Sequence, residues 1–307
     1  MEIPIYVVGS SNTDMVVKAD KLPSPGETVI GGSFLMNPGG KGANQAVTAS
    51  RLGGNVTFVA SIGNDIFGRQ AMQQFQREKI NTSFITTDKN HPSGVALINV
   101  DAKGENSIAV APGANSQLNI VNVEQALASI NGPAILLLQL EIPLDTVEYT
   151  IEQGYKKKVK VILNPAPANI LSDEVFKHLF VITPNESEAE LLTGIRVTNI
   201  ESAEKAAQLL HKKGVPNVVI TLGSKGAYLS NSEMKELIAA PPVTAIDTTA
   251  AGDCFNGALA VALCESKSLD TAVAFACKAA SISVTRMGAQ SSLPFRKEVD
   301  DLSLAAL

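Results

Sequence analysis

Short unbroken apolar runs alternate along this chain with stretches whose apolar positions recur every three or four residues. The runs cover residues 5–8, 56–61, 135–140, 159–163, 180–183 and 218–222. Each is too short for a helix and lacks polar alternation, which is the pattern of a strand covered on both faces. The amphipathic stretches lie near residues 43–52, 68–78, 144–155 and 201–212. Strands separated by helices in this way predict an α/β fold, a doubly wound and mostly parallel central sheet flanked by helices. Beyond about residue 251 the pattern becomes two long Ala-rich helices with no strand.

Two segments break the alternation. Residues 15–36 hold Val16-Val17, a turn with Pro23, Pro25 and Gly26, and then a second β-rich stretch. Residues 94–111 read as a hairpin, 95–100 and 107–111, joined by Asp101-Ala102-Lys103-Gly104-Glu105-Asn106. Neither has a helix between its strands. Together they are expected to form a small inserted β-sheet lid over a ligand cleft, although two unrelated surface hairpins would carry the same pattern. The division that follows is an α/β ligand-binding core of residues 1–13, 38–93 and 112–307, with a discontinuous β-sheet lid of residues 14–37 and 94–111.

Composition narrows the function classes. The 307 residues are 45% hydrophobic and 18% charged, as in a globular protein with a large core. A formal net charge of -5 argues against broad nucleic-acid affinity. No apolar run approaches the roughly 20 residues of a membrane span, and the first eight residues read as a strand, not a signal peptide. Cys254, Cys264 and Cys277 are odd in number and unpaired in spacing, which fits buried thiols of a reducing cytoplasm. His91, His178 and His211 show no ligand spacing, so a His-based metal or triad mechanism is not expected.

The clearest chemistry lies in Asp247-Thr248-Thr249-Ala250-Ala251-Gly252-Asp253, followed by an apolar helical stretch. Small residues at 250–252 let backbone N–H groups converge at a helix N-terminus, a place suited to an anion. A carboxylate there repels what the amides attract. It makes sense if Asp253 takes a proton from a hydroxyl that attacks a phosphoryl group held over the amides. An ordinary helix start with an acidic first turn reads the same way.

Other clusters sit just past predicted strands, where ligands of open α/β sheets bind. Asn12-Thr13-Asp14 suits a polyol, or an Asx turn. Gly39-Gly40-Lys41-Gly42-Ala43-Asn44 opens a helix, and its glycines allow close backbone approach to a small ligand, or simply a flexible turn. It is not a Walker A loop, because Leu35 stands at the upstream Gly position and Gly42 follows Lys41. Glu141 ends the strongest apolar run. Asn185 and Glu188 share a helix face and suit a hydrated Mg²⁺, or a capping box. Thr221, Gly223 and Gly226 suit a nucleotide cover, or a tight turn.

In this order and with these residues, the chain resembles the PfkB, or ribokinase, family of carbohydrate kinases. The resemblance runs over essentially the whole length, with 39–46 and 247–257 its specific parts. It implies a ribokinase-like fold and ATP-dependent phosphorylation of D-ribose at its 5-hydroxyl. It also implies Asp253 as catalytic base, with the amides of Ala250, Ala251 and Gly252 as anion hole. Asn12, Asp14, Gly40, Lys41, Asn44 and Glu141 match the family's sugar site. Asn185, Thr221, Gly223, Gly226, Gly252 and Cys277 match its nucleotide side, with Glu188 holding Mg²⁺ through water. Asp247, Thr249, Ser283, Arg286, Gly288 and Ser292 match a K⁺ site, mostly through carbonyls. The resemblance further implies a homodimer paired through the lids. Two positions depart from the family pattern: Ala250, where many relatives have Gly, and Cys277, where a more polar residue is frequent. A kinase of the same fold for deoxyribose or a nucleoside is the alternative, and a non-catalytic sugar-binding regulator is another.

Overall fold

The computed structural model describes residues 3–302, so the outer ends of the expected core, 1–2 and 303–307, lie outside the described residues. The chain opens with β1 (Ile5–Val8), β2 (Asn12–Lys18), β3 (Ser33–Gly39) and α1 (Lys41–Arg51). Next come β4 (Val56–Gly63), α2 (Ile66–Arg77), β5 (Asn81–Asp88), β6 (Gly94–Val100) and β7 (Asn106–Ala111). A 3-10 turn (Gly113–Gln117) leads to α3 (Ile120–Ala128), β8 (Ile135–Leu138), α4 (Leu144–Lys156) and β9 (Lys160–Leu163). Then follow α5 (Asp173–Phe176), β10 (Val181–Ile182), α6 (Glu186–Thr193), α7 (Ile200–Lys212) and β11 (Asn217–Thr221). The last part holds β12 (Ala227–Ser230), β13 (Lys235–Ile238), α8 (Ala251–Cys264), α9 (Leu269–Ser283) and α10 (Arg296–Asp301).

Nine strands form the central sheet in the order β13-β12-β11-β10-β9-β8-β1-β4-β5. Every pairing is parallel except β11 with β12 and β12 with β13. Successive residues of β1 point to opposite faces and both sets are buried. Ile5 and Val7 pack with α1, α8 and α9, while Tyr6 and Val8 pack with α3, α4 and α7. The apolar runs of the sequence are therefore strands covered on both sides, as expected. Those the runs did not reveal are β5, β12 and β13. β5 and β13 sit at the sheet edges, where half-exposed polar residues replace a solid apolar block.

The second sheet has four strands in the order β3-β2-β6-β7. Its β6–β7 hairpin matches the expected one. The turn after β1 is shorter than the sequence implied: Asn12, Thr13 and Asp14 already belong to β2, so no Asx turn forms there. Asn12 and Asp14 lie on one face of that strand, beside Gly39 and Asn37 of β3 and Gly94 and Ala96 of β6. Among the described residues, no helix is long and apolar enough to cross a membrane.

Helices α1 and α8 pack closely on one face of the sheet. A Cβ on Gly257 would fall 2.6 Å from Thr48 Cβ and 2.7 Å from the Gln45 carbonyl oxygen. Gly257 thus sets the helix spacing. Replacing it with Ala should lower the unfolding free energy by about 1–3 kcal/mol, the usual cost of an overpacked methyl. Denaturant unfolding measures this, and a neutral or stabilising result would mean the two helices separate at no cost.

Candidate active site

In the strand order, β1 lies between β8 and β4, so connections on either side leave in opposite directions. The carboxyl ends of β1 and β8 border the crevice this creates. Ser10, Glu141 and the start of α1 meet there. Glu141 Oε2 accepts from Ser10 Oγ at 2.5 Å and from the Lys41 amide at 3.0 Å. The carboxylate so placed complements the positive end of α1.

Asp253 lies in the first turn of α8, one turn ahead of Gly257, and is 6% exposed. Its Oδ2 accepts from Asn44 Nδ2 at 2.9 Å and its Oδ1 from Gln45 Nε2 at 3.1 Å. Burial pushes its carboxyl above the ordinary carboxylate value, against the pull of Lys41 and of the two amides. Helix position alone favours the charged form, but here desolvation prevails. Asn44 gives its amide nitrogen to Asp253, and its buried Oδ1 has no partner among the described residues. That oxygen is ready to accept from a hydroxyl.

The backbone before Asp253 is unusual. Ala250 caps α8 in the left-handed conformation, with φ 60° and ψ 12°. The Ala251 amide donates to the Thr248 carbonyl at 3.2 Å. No protein acceptor meets the Ala250, Gly252 or Asp253 amide among the described residues, so of the three donors expected Ala250 and Gly252 are free and Ala251 is not. These groups wall a cavity of 200 Å³ shared with Lys41, Asn185, Glu188 and Asp253. A larger cavity of 480 Å³ lies alongside. Asn185, Thr221, Gly223, Gly226, Gly252 and Cys277, the residues expected on the nucleotide side, all line it. Its inner wall is apolar, with Phe255, Ala280 and Val284, and Cys277 there is a neutral thiol pushed up to about 12 by burial.

Asn185 and Glu188 do form the capping box. Glu188 N donates to Asn185 Oδ1 at 2.8 Å, and Asn185 N donates back to Glu188 Oε2 at 2.9 Å. Asn185 Nδ2 also donates to Glu188 Oε1, at 2.9 Å. The capping role and the cavity position coexist. Burial raises the Glu188 carboxyl above its ordinary value, against the Asn185 amide and Lys41. No group of three His, Cys, Asp or Glu side chains that could hold a metal occurs among the described residues. The Glu188 carboxylate on the cavity wall suits a hydrated Mg²⁺, an ion that keeps several waters.

Lys41 is surrounded by carboxyl groups. Burial works against its charge, but Asp253, Glu141, Glu188 and Asp14 together hold it above its ordinary value. Asp14 is raised to about 6, by burial first and then by Glu141 and Asp253, with Lys41 opposing. Asn12 is fixed by Asn115, whose Nδ2 donates to Asn12 Oδ1 at 2.8 Å and to the Ser11 carbonyl at 3.1 Å. That leaves the Asn12 amide nitrogen as the group free to donate. Gly40, with φ 89°, brings the start of α1 against the Ser11–Asn12 backbone. Asn12 and Glu141 line a further cavity with Val110 and Asn115.

Asp247 ties two loops together. Its Oδ1 accepts from Thr249 N at 2.9 Å and Thr249 Oγ1 at 2.6 Å, and its Oδ2 accepts from Gly288 N at 2.8 Å. Burial raises this carboxyl, but those bonds bring it below its ordinary value, so it stays ionised. Ser283 and Ser292 are buried, and the Ser283 carbonyl accepts from Arg286 N at 3.2 Å. The Arg286 guanidinium turns away to pair with Glu298. An ionised carboxylate among loop oxygens suits a monovalent cation.

Sequence reasoning missed Asn115, Asn164 and Asn256. Asn164 follows β9 directly, so the rule about strand carboxyl ends could have found it. Asn115 lies in a 3-10 turn with no such signal.

Residues 4–296 match the model of the pfkB family of carbohydrate kinases. The chain is 48% identical to a ribokinase of Haemophilus influenzae, covering 97% of each. It is 37% identical to a deoxyribokinase of Salmonella typhi, covering 94% of this chain and 95% of that one. The structure of Arabidopsis thaliana ribokinase complexed with ribose and ATP superposes with a TM-score of 0.90 at 33% identity, covering 100% of both chains.

The left-handed Ala250 carries a local cost, since that region disfavours residues with a Cβ by about 1–2 kcal/mol. Glycine adopts it freely but loses more chain entropy on folding. Ala250→Gly should therefore raise the unfolding free energy by up to about 1 kcal/mol. A lower denaturation midpoint for the variant would show that no strain resides at this cap.

Proposed function

The chain belongs to the pfkB family of carbohydrate kinases, and from that premise we propose that it transfers the terminal phosphoryl group of ATP to the 5-hydroxyl of D-ribose. The products are D-ribose 5-phosphate and ADP. The observation that carries this reading is the buried Asp253 carboxylate between the 480 Å³ cavity and the sugar-side residues, next to free first-turn amides. ATP occupies the larger cavity, its base against the apolar wall and its phosphates pointing toward Gly252. The ribose 5-hydroxyl oxygen attacks the terminal phosphorus, its proton passes to Asp253, and ADP departs. Burial raises the Asp253 carboxyl above its ordinary value, which makes it a stronger proton acceptor. The amides of Ala250 and Gly252, with Lys41, stabilise charge on the transferring oxygens. Glu188 would hold a hydrated Mg²⁺, which would supply charge neutralisation to the phosphates. Asp247 and its neighbouring carbonyls would hold K⁺, which would stiffen the turn that carries the amides.

Asp14 and Asn12 face the sugar, one accepting and one donating, while the Asn44 oxygen accepts from a further hydroxyl. The four-stranded sheet is the lid. Val17, Phe34, Met36 and Leu97 share one face of it and are exposed, and such an apolar surface supports pairing with a second copy. The three free thiols fit a reducing cytoplasm. The deoxyribokinase relative keeps deoxyribose as the second reading. Asp14 favours ribose, because a sugar lacking one hydroxyl leaves a partly buried acceptor underused. A binding-only regulator is disfavoured by the complete set of base, amides and Asn185–Glu188.

A coupled assay of ATP turnover across pentoses tests this directly, with D-ribose expected to be the best acceptor. Asp253→Asn should bind both substrates and lose about 10²–10⁴-fold in kcat. Retention of kcat by that variant, or no turnover with any pentose, would overturn the reading.

The pH dependence follows from Asp14, which reaches about 6 in the free protein. Only its ionised form accepts from two hydroxyls, so ribose affinity should weaken as pH falls through that value. The decline should approach tenfold per pH unit well below it. Calorimetric Kd values between pH 5 and 8 measure this. Asp14→Asn should bind more weakly and lose the dependence, and an unchanged slope in the variant would remove Asp14 from the sugar site.

A further inference from the structure

Behind Asp253 runs a line of buried side-chain amides whose donors all point one way. Gln139 Nε2, just past β8, donates to Gln45 Oε1 on α1 at 2.5 Å. Gln45 Nε2 donates to Asn164 Oδ1, past β9, at 3.0 Å, and to Asp253 Oδ1 at 3.1 Å. Asn164 Nδ2 donates to the Thr183 carbonyl, past β10, at 3.4 Å. Thr183 Oγ1 donates to Asn256 Oδ1 at 2.7 Å, and Asn256 Nδ2 donates to the Gly252 carbonyl at 2.8 Å. The line begins at one strand end, crosses three elements and finishes in the turn that presents the free amides. Gln45 and Gln139 are fully buried.

We propose that Gln45, oriented by Gln139, is the positioning residue that aims the Asp253 carboxylate at the substrate hydroxyl. This deepens the reading of Asp253 as the base and rests on it. A carboxylate on a short side chain has one soft torsion left once its rotamer is set. Asn44 grips one oxygen and Gln45 the other, and two grips on opposite oxygens fix that torsion. An amide can face a carboxylate with either end, and its oxygen end would repel. Asp253 and Asn164 both offer the Gln45 nitrogen an acceptor, and Gln139, whose own Oε1 is buried without a partner among the described residues, donates to the Gln45 oxygen and holds it in that sense. Turning the Gln45 amide over would set oxygen against oxygen at Asp253 and at Asn164 together.

The charged groups facing Asp253 are Lys41 on α1, Glu141 past β8, Asp14 on β2 and Glu188 on α6. Lys41 favours the ionised base and the three acids oppose it. In that company a donated hydrogen bond from Gln45 also helps keep the base ionised, and its loss moves the base upward in pH.

The test is Gln45→Met, which keeps length and bulk but removes the donors. KM for ATP and ribose should stay near wild type, and kcat should fall by about 10- to 100-fold. The acidic limb of the kcat–pH profile should move up by about one unit, a tenfold change in the protonation constant. Gln139→Met leaves Asp253 untouched but frees the Gln45 amide to turn, so it should shift the same limb the same way and by less. A packing role alone predicts a lower denaturation midpoint with the wild-type limb, and that result overturns the proposal. So does an intact kcat with a raised KM. If Gln45→Met does not fold, an unmoved limb in Gln139→Met decides against it. Wild-type turnover with ribose is measured first: its absence sinks the functional reading, whereas turnover with unmoved limbs in the variants sinks only this inference.

Discussion

The spacing of α1 and α8 is the constraint on which the rest depends. Gly257 lets one helix rest its backbone on the other, and Asp253 sits a single turn away. At that spacing the amides of Asn44 and Gln45 reach its two oxygens. A buried carboxylate without such donors would cost several kcal/mol or take up a proton permanently. Helix packing, which belongs to the core, thereby decides whether this carboxylate can stay ionised. Gly42 does the same at the other end of α1, where a Cβ would fall 2.6 Å from the Gly9 backbone. One helix is pinned at two close contacts and carries Asn44 and Gln45 between them.

The electrostatics of the crevice are acidic around a single lysine. Asp14, Glu141, Glu188 and Asp253 all act on Lys41, and three of them are raised above their ordinary values. A bare polyphosphate meets repulsion in such a place. A phosphate chain already carrying a divalent cation does not. The same acids suit hydroxyl groups, which donate to carboxylates without adding charge. The crevice thus separates its two substrates by charge as well as shape.

Much of this was legible in the sequence. Strands buried on both faces announce themselves as apolar runs, and small residues ahead of Asp253 announce a helix start with free backbone amides. Edge strands such as β5 did not show, because one open side lets polar residues alternate freely. Asn12 and Asp14 looked like turn residues, since a strand with polar groups on its inner face loses its apolar signature. Asn185 and Glu188 could be read as a cap or as a ligand pair, and the structure makes the cap while leaving them on a cavity wall. The orienting partners Asn115 and Asn164 were the least visible. Their meaning lies in which way another amide faces, and that is a property of contacts far apart in the chain.

The small sheet has a consequence for how the molecule is made. Its central pairing joins β2 to β6 in parallel, across all of α1, β4, α2 and β5. A ribosome emits β2 and β3 first, and they must wait for their neighbour until that intervening stretch has emerged. Non-local parallel pairing of this kind closes slowly. In the interval β2 and β3 form at most a two-stranded ribbon with an open edge and apolar side chains at Phe34, Leu35 and Met36. Such edges invite mispairing with other chains. The small sheet therefore waits as an open ribbon until β6 and β7 emerge, and that interval is when it needs protection during synthesis.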